Sequence, residues 1–389
     1  MRKDRILGGM VGLLVGDAIG IPYETVPREK MPDLSRVDDL SIVPKGFERK
    51  HAKARPMTYS DDGSQALCLL ASLLECGEFN AQDFGERLVR WFDDGYLAAG
   101  GGAFGTGGTT REALKRIRNG VPATQAGLTE ETALGNGGLM RVLPLVLWHR
   151  GSDEELIELA KAQCRVTHAH LRAQVTVAAY CLWAKKILEA WTAFDQEPRT
   201  PRDHPWRGDH DHTYANVLTA LLQMAGQRFK AAEPGVRTVD MGEIVSVYDL
   251  HPKNTSPEIL EVCRLTGELG GYKNFKKFEP SGGFHVVDTF YSAVVANGVA
   301  AMNMAAERSC RGVSTEVMIA DQENIQNEYE NVLRVAIQFG QDTDTTAAVA
   351  GGIAGIRFGL KAIRPEWISA MMSNAHPGVT GLIEKLGVR

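Results

Sequence analysis

The sequence predicts a helical protein. Apolar residues recur at three- and four-residue spacing through most of the chain, and two Gly/Ala-rich runs read as helices buried close against their neighbours. A third observation supports this. The glycine-rich stretch from Gly100 to Gly108 invites a dinucleotide-binding reading, but no β-rich run precedes it and no strand–turn–helix context surrounds it.

At 389 residues, 44% hydrophobic and 23% charged, with a formal net charge of −5, the composition is that of an ordinary soluble globular protein. The mild acidity gives no electrostatic case for nucleic acid or an anionic membrane as partner, so neither is expected. Cys68, Cys76, Cys164, Cys181, Cys263 and Cys310 are scattered without C-x-x-C spacing and read as reduced core residues of a cytoplasmic protein.

In chain order, Met1–Arg5 followed by apolar Ile6–Val15 imitates a secretory leader, but Asp17 interrupts it and no A-x-A-like site follows. The run is also short for a bilayer span. Arg5–Ile19 is therefore expected to be the first buried helix, with Asp17 read as a structural acid in preference to a site residue. Pro27, Pro32, Pro44 and Pro56 make residues 25–58 a long irregular connection of the kind that serves as a lid, on which Lys50, Lys53 and Arg55 read as solvated charges. Leu67, Leu70, Leu73 and Leu74 place a helix over Gly63–Cys76, and Ala81–Phe92 gives another. Thr109 and Glu112 have capping-box spacing, as do Ser152 and Glu155 at the head of a helix to Cys164.

Gly135–Arg141 is expected to open a helix running through Trp148, with Pro144 in its first turns. Val166–His170 begins the next helix, which continues as a long apolar one over Val175–Trp191. Residues 193–280 turn polar; His204, His210 and His212 there match no zinc-ligand spacing and read as a surface loop. Core helices are expected over Thr289–Met304 and Glu323–Phe339, and one or two short ones over Pro365–Arg389. No clear boundary divides the chain, which reads as a single domain, 1–389, with an elaborated polar region at about 193–280.

Two acidic clusters stand out. Asp342-Thr343-Asp344-Thr345 precedes the Gly/Ala-rich run Ala347–Gly355, and Ser60-Asp61-Asp62 precedes the Gly63–Cys76 helix. Each reads in two ways, as an ordinary helix cap or as half of a carboxylate-built site for a hard divalent cation. The backbone N–H groups of Gly135–Gly138 are suited to a pyrophosphate, and Arg141 reads either as part of that site or as a structural ion-pair partner.

These segments, with Gly16–Glu24 and Gly135–Arg141, resemble the ADP-ribosylglycohydrolase family, of the dinitrogenase reductase-activating glycohydrolase type, from about residue 5 to about residue 360. The resemblance implies an all-α fold, a compact orthogonal multi-helix bundle, and a hydrolase that cleaves ADP-ribosyl groups at the anomeric carbon. It implies two Mg²⁺ ions, with Mn²⁺ as the alternative, held by Ser60, Asp61, Asp62, Asp342, Asp344 and Thr345. Glu24, Asp62 and Asp344 then become the catalytic candidates, Glu24 lying over ribose and metals. Gly135, Asn136, Gly137, Gly138, His168 and Phe284 become the substrate-binding candidates, and His170 a weaker one. The partners implied are an ADP-ribosylated protein and ADP-ribose.

One departure bears on the linkage. Arginine-specific members carry Phe-Asp-Ile-Gly ahead of a Thr-Thr-Arg run, whereas this chain has Phe104-Gly105-Thr106-Gly107, so Gly105 replaces the aspartate expected to hold a guanidinium. Asp93 and Asp94 lie slightly upstream. Arginine-linked ADP-ribose remains the favoured substrate, with O-linked ADP-ribose (serine or a small ester) or a non-catalytic ADP-ribose-binding module as alternatives.

Overall fold

The computed structural model describes residues 2–194, 281–297 and 322–388. The helices are α1 (Arg2–Gly20), α2 (Asp61–Cys76), α3 (Ala81–Asp94), α4 (Gly108–Arg118), α5 (Ala123–Ala126), α6 (Leu143–Trp148), α7 (Asp153–Arg165) and α8 (Leu171–Phe194). After the second described segment, residues 286–297 (α9), come α10 (Gln322–Gln338), α11 (Thr343–Phe358), α12 (Pro365–Asn374) and α13 (Val379–Val388). Isolated bridges, Val26 to Gln341, Leu128 to His168 and Gly135 to His285, are the only β pairing among the described residues. The fold is all-α.

The centre of the bundle is an antiparallel contact between α1 and α11. Gly8, Gly12, Gly16 and Gly20 recur every fourth residue and so form one stripe of α1. That stripe faces Gly355, Gly351, Ala347 and Thr343 of α11 in reverse order. A Cβ at Gly8 would stand 2.3 Å from the Gly355 oxygen, one at Gly12 2.5 Å from the Gly351 oxygen, and one at Gly16 2.2 Å from the Ala347 oxygen. Only hydrogen fits there. The helix carbonyls at this contact take further donors, Tyr329 OH to Gly12 O at 2.8 Å and Tyr180 OH to Val349 O at 3.3 Å. Arg5 donates to the Ile356 and Arg357 carbonyls at the C-terminal end of α11, where a cation is favoured.

Around this pair, α2 packs between α3 and α6, α7 lies along α8, and α10 runs along α11. Residues Arg2–Tyr23 are long and apolar enough to cross a membrane, with mean hydropathy 1.6, but 94% of that window is buried inside the protein. Its apolarity is spent on the core.

Several local expectations are corrected. The helix expected from Gly135 starts only at Leu143; Asn136–Gly138 is a 3-10 turn, and Pro144 sits in the first turn of α6. Pro144 has no N–H to bond a preceding carbonyl, so the helix begins with it instead of running through it. The helix expected from Val166 begins at Leu171, because Leu128 N donates to Thr167 O and Leu128 O accepts from Ala169 N, which holds this stretch in a bridge. Gly107, not Thr109, occupies the N-cap of α4, and no side chain caps it. Ser152 does cap α7, accepting from Glu155 N at 3.2 Å, but the Glu155 carboxylate turns to His149. Cys68, Cys164 and Cys181 are free and buried as expected, whereas Cys76 is exposed at the end of α2. The polar 195–280 stretch with its three histidines, Cys263, Cys310 and the 298–304 end of the expected Thr289–Met304 helix lie outside the described residues.

Replacing Gly12 by Ala should force the α1 and α11 backbones apart and cost about 3 kcal/mol, near the upper end for overpacking. Gly381→Ala, in α13 with open space at its Cβ position, should be neutral or gain up to about 1 kcal/mol. Chemical denaturation of the two variants checks the pair; equal stabilities would contradict the proposed close contact.

Candidate active site

The α1–α11 contact ends where Gly20 meets the start of α11. A Cβ at Gly20 would lie 2.4 Å from the Thr343 oxygen, and Thr343 Oγ1 donates to Gly20 O at 2.8 Å. The last turn of α1 is thereby locked to the first turn of α11, which carries Asp344 and Thr345 behind Asp342 at the N-cap. The segment after α1 is tied to the same place. Thr25 N donates to Gln341 O at 2.5 Å and Gln341 N to Val26 O at 2.7 Å, with both Thr25 and Gln341 in the left-handed region. These ties bring Glu24 to Asp342 and Asp344, carboxylate oxygens of the three lying within 4.8 Å of one another.

The second cluster joins through Asp17. Its carboxylate accepts from Ser60 N at 2.9 Å and Gly63 N at 2.8 Å, so an acid of α1 caps the N-terminus of α2. This holds Asp62 beside Asp344, and Asp17, Asp62 and Asp344 form a second group within 4.8 Å. Asp17 was expected to be structural; it is that, and it also stands among the site carboxylates. The available signal was a lone acid inside the apolar run Ile6–Ile19.

The other candidates are arranged around this acidic centre. Ser60 caps α2 and donates to Asp62 Oδ2 at 3.1 Å. Asp61 accepts from Gln65 Nε2 at 3.3 Å. Asn136, a substrate-binding candidate, donates from its amide nitrogen to Asp342 Oδ2 at 2.6 Å and to Thr289 Oγ1 at 2.8 Å, which fixes the Asp342 carboxylate. His168 is buried beneath the Gly135–Gly137 backbone, and Thr167 Oγ1 bonds its Nδ1 at 2.8 Å. Phe284, next to the bridge between His285 and Gly135, is 48% exposed, so its ring is free to meet a ligand. His170 instead pairs with Glu131 at 3.2 Å. Lys50, Lys53 and Arg55 are exposed, as expected of solvated charges. Arg141 is fully buried, and the bonds it makes are to Gln65, Gln163 and Thr167, not to a carboxylate; the ion-pair expectation fails.

Gly105 has φ of +84°, and a Cβ there would lie 2.4 Å from Asp61 Oδ1. The backbone at this point thus disfavours any side chain, and a carboxylate would also meet that of Asp61. Its neighbour Phe104 packs at 5.6 Å, ring centre to ring centre, against His51, which in turn pairs with Glu24.

The electrostatics set a clear demand. Burial and the neighbouring carboxylates push Asp61, Asp62 and Asp344 well above the usual carboxylate range. Burial also raises Asp342 and pushes Asp17 up to about 7, despite the N–H groups of Ser60 and Gly63. Two buried oxygens, Asp62 Oδ1 and Asp344 Oδ1, have no hydrogen-bond donor. Buried anions without donors are costly unless protonated or balanced by a cation. A set of hard carboxylate and hydroxyl oxygens with unmatched lone pairs fits a divalent cation such as Mg²⁺.

Comparisons with known proteins agree with this geometry. A family model described as ADP-ribosylglycohydrolase matches residues 1–388. The chain is 26% identical to ADP-ribosylarginine hydrolase Tri1 of Serratia proteamaculans, over 98% of this chain and 79% of that protein. It is 23% identical to ADP-ribosylhydrolase ARH3 of Bos taurus, over 93% of this chain and 87% of the relative. A solved structure titled ADP-ribosylglycohydrolase-related protein complex superposes with a TM-score of 0.57 at 26% identity, covering 99% of this chain and 96% of that one. With an all-α bundle, two carboxylate-bearing helix starts meeting at its centre and a match along nearly its whole length, this chain belongs to the ADP-ribosylglycohydrolase family and is an ADP-ribosyl hydrolase.

Proposed function

We propose that the protein is a Mg²⁺-dependent hydrolase of the cytoplasm that releases ADP-ribose from mono-ADP-ribosylated protein side chains, the arginine linkage favoured. The observation that carries the metal dependence is the cluster of Asp17, Asp62 and Asp344 beside Glu24, Asp342 and Asp344, buried and with two oxygens lacking donors. Support for the linkage is the name of the relatives from Serratia proteamaculans and Pseudomonas putida, each an ADP-ribosylarginine hydrolase.

Ser60, Asp61, Asp62, Asp342, Asp344 and Thr345 would hold two Mg²⁺ ions, Mn²⁺ being the alternative. Bound there, the ions supply positive charge that orients ribose hydroxyls and activates water for attack at the anomeric carbon. The protein's own groups do the rest. Asn136 and Thr289 hold Asp342 in place, and Asp17 holds the start of α2 so that Asp62 stays beside Asp344. Gly135–Gly138 and His168 bind the pyrophosphate side of the ADP-ribosyl group, and Phe284 offers a face to its base or ribose. Glu24 stands at the edge of the cluster, partly exposed, where it can hold or move a proton as the water oxygen bonds to the anomeric carbon and the departing atom is protonated.

A second reading is kept for one reason. Gly105, in the left-handed region against Asp61, leaves no carboxylate at the position that would grip a guanidinium. A serine- or ester-linked ADP-ribosyl group does not need that grip.

Release of free ADP-ribose from matched arginine- and serine-linked peptides, with Mg²⁺ and with EDTA, tests the proposal. Mg²⁺-dependent release from the arginine peptide is expected, and Asp342→Ala or Asp62→Ala should lower it at least roughly 10²-fold, the scale of removing one electrostatic group from a reacting centre. Release from the serine peptide alone would move the assignment to the second reading; undiminished release in EDTA and in both variants would overturn the metal site.

A stability measurement tests the electrostatics independently. A carboxyl whose folded pKa lies above its unfolded value keeps its proton longer in the native state, so native stability falls as pH rises between the two values. For Asp17 that window runs from the ordinary aspartate value of 3.8 to about 7, and the other site aspartates shift the same way. In EDTA the melting temperature should therefore drop by a few degrees or more across this window, and Mg²⁺ should remove most of the drop. A melting temperature that rises with pH in EDTA would contradict the assignment.

A further inference from the structure

Arg141 is buried without a carboxylate partner, yet its two terminal nitrogens run to opposite halves of the site. Nη1 donates to Gln65 Oε1 at 2.8 Å, and the same amide donates from Nε2 to Asp61 Oδ2 at 3.3 Å. Nη2 donates to Thr167 Oγ1 at 2.7 Å, and that hydroxyl bonds His168 Nδ1 at 2.8 Å. Nε and Nη2 are held in addition by Gln163 Oε1 and Gln163 O, at 3.2 and 3.3 Å, and Gln163 Nε2 donates to Gly138 O at 2.7 Å. The guanidinium thus lies below both the acidic centre and the glycine-rich turn.

The donor and acceptor roles in these chains start from what arginine can do. A guanidinium only donates. Gln65 must therefore present its oxygen to Arg141 and its NH₂ to Asp61, which settles the amide orientation. Thr167 must accept from Arg141, and among the described residues its hydroxyl proton has no acceptor other than His168 Nδ1, which it therefore meets as donor. An imidazole that accepts at Nδ1 and is neutral carries its proton on Nε2. That nitrogen lies along Gly135 and Gly137, where a Cβ would come within 3.4 and 3.3 Å of it. Glycine at both positions keeps side-chain atoms away from Nε2 on that side, and the neutral ring is consistent with burial and Arg141 pushing His168 down to about 3.

We propose that Arg141 is a positioning residue shared by both halves of the site: through Gln65 it orients Asp61, and through Thr167 it holds His168 as the Nε2–H tautomer, a neutral hydrogen-bond donor to a phosphate oxygen of the bound ADP-ribosyl group. The ligand in this statement rests on the hydrolase reading above; the two hydrogen-bond chains do not. His168 on this account neither carries charge nor removes a proton.

Arg141→Met removes the shared cation from a closed site and tests folding together with function, so Thr167→Val, Thr167→Ser and Gln65→Leu carry the test. Long-range ¹H–¹⁵N spectra of ¹⁵N-histidine protein without ligand should show His168 with Nδ1 unprotonated and Nε2 protonated in the wild type and in Thr167→Ser, and a loss of that single tautomer in Thr167→Val. In titrations, Thr167→Val should weaken ADP-ribose on the order of ten-fold, the scale of a hydrogen bond to a charged group, and leave Mg²⁺ affinity within about two-fold. Gln65→Leu should weaken Mg²⁺ and leave the tautomer unchanged; Thr167→Ser should restore ADP-ribose affinity. An Nδ1–H tautomer in the wild type, or the same pattern of losses in Thr167→Val and Gln65→Leu, overturns the relay. Failure of the wild type to bind ADP-ribose while His168 is Nε2–H overturns the ligand assignment and the hydrolase reading instead.

Discussion

The approach of α1 to α11 is the constraint on which the site depends. Four glycines on one helix meet carbonyl oxygens of the other at distances that admit no Cβ, so the two helices have one register and one separation. That register sets the last turn of α1 beside the first turn of α11, and hence Asp17 and Glu24 beside Asp342 and Asp344. A shift by one residue would break both the glycine contact and the cluster. Packing and chemistry are specified by the same stripe of residues, which explains why so apolar a helix carries an acid near its end.

The cluster runs against the preference of a protein interior. Burial raises the pKa of all five buried aspartates, neighbouring aspartates push Asp61, Asp62 and Asp344 higher still, and the two helix N-termini that face them offer only partial positive charge in return. Nearby donors are used to fix geometry more than to neutralise. Asp17 takes the N–H groups of α2, Asn136 takes Asp342, and Gln65 takes Asp61, leaving Asp62 Oδ1 and Asp344 Oδ1 unmatched. Arg141, the cation of this network, reaches Asp61 only through an amide. Such an arrangement is electrostatically unfavourable with its carboxylates ionised and would be relieved by a divalent cation.

Much of this was legible in the sequence because it rests on periodicity. Leu67, Leu70, Leu73 and Leu74 mark α2, and the glycines of α1 and α11 announce close packing, both as found. What was not legible depends on partners remote in sequence. Thr109 and Glu112 have the right spacing for a capping box, but the chain enters α4 through Gly107 and leaves Thr109 inside the helix. The tie of the Asn136 amide to Thr289 and Asp342, 153 and 206 residues away, has no local signal. Asp17 reads as a buried acid because nothing local says that the N-terminus of α2 will be its partner. Gly105 was noticed as a missing carboxylate; its positive φ and its place against Asp61 add the reason a side chain is disfavoured there.

The central claim is that the buried carboxylates of α1, α2 and α11 are one metal centre. The most direct measurement is anomalous diffraction from crystals of the protein grown with Mn²⁺. The account predicts two anomalous peaks within ligand distance of the oxygens of Asp62, Asp342 and Asp344. A well-ordered site with these side chains in place, saturating Mn²⁺ in the crystal and no anomalous density among them would contradict it.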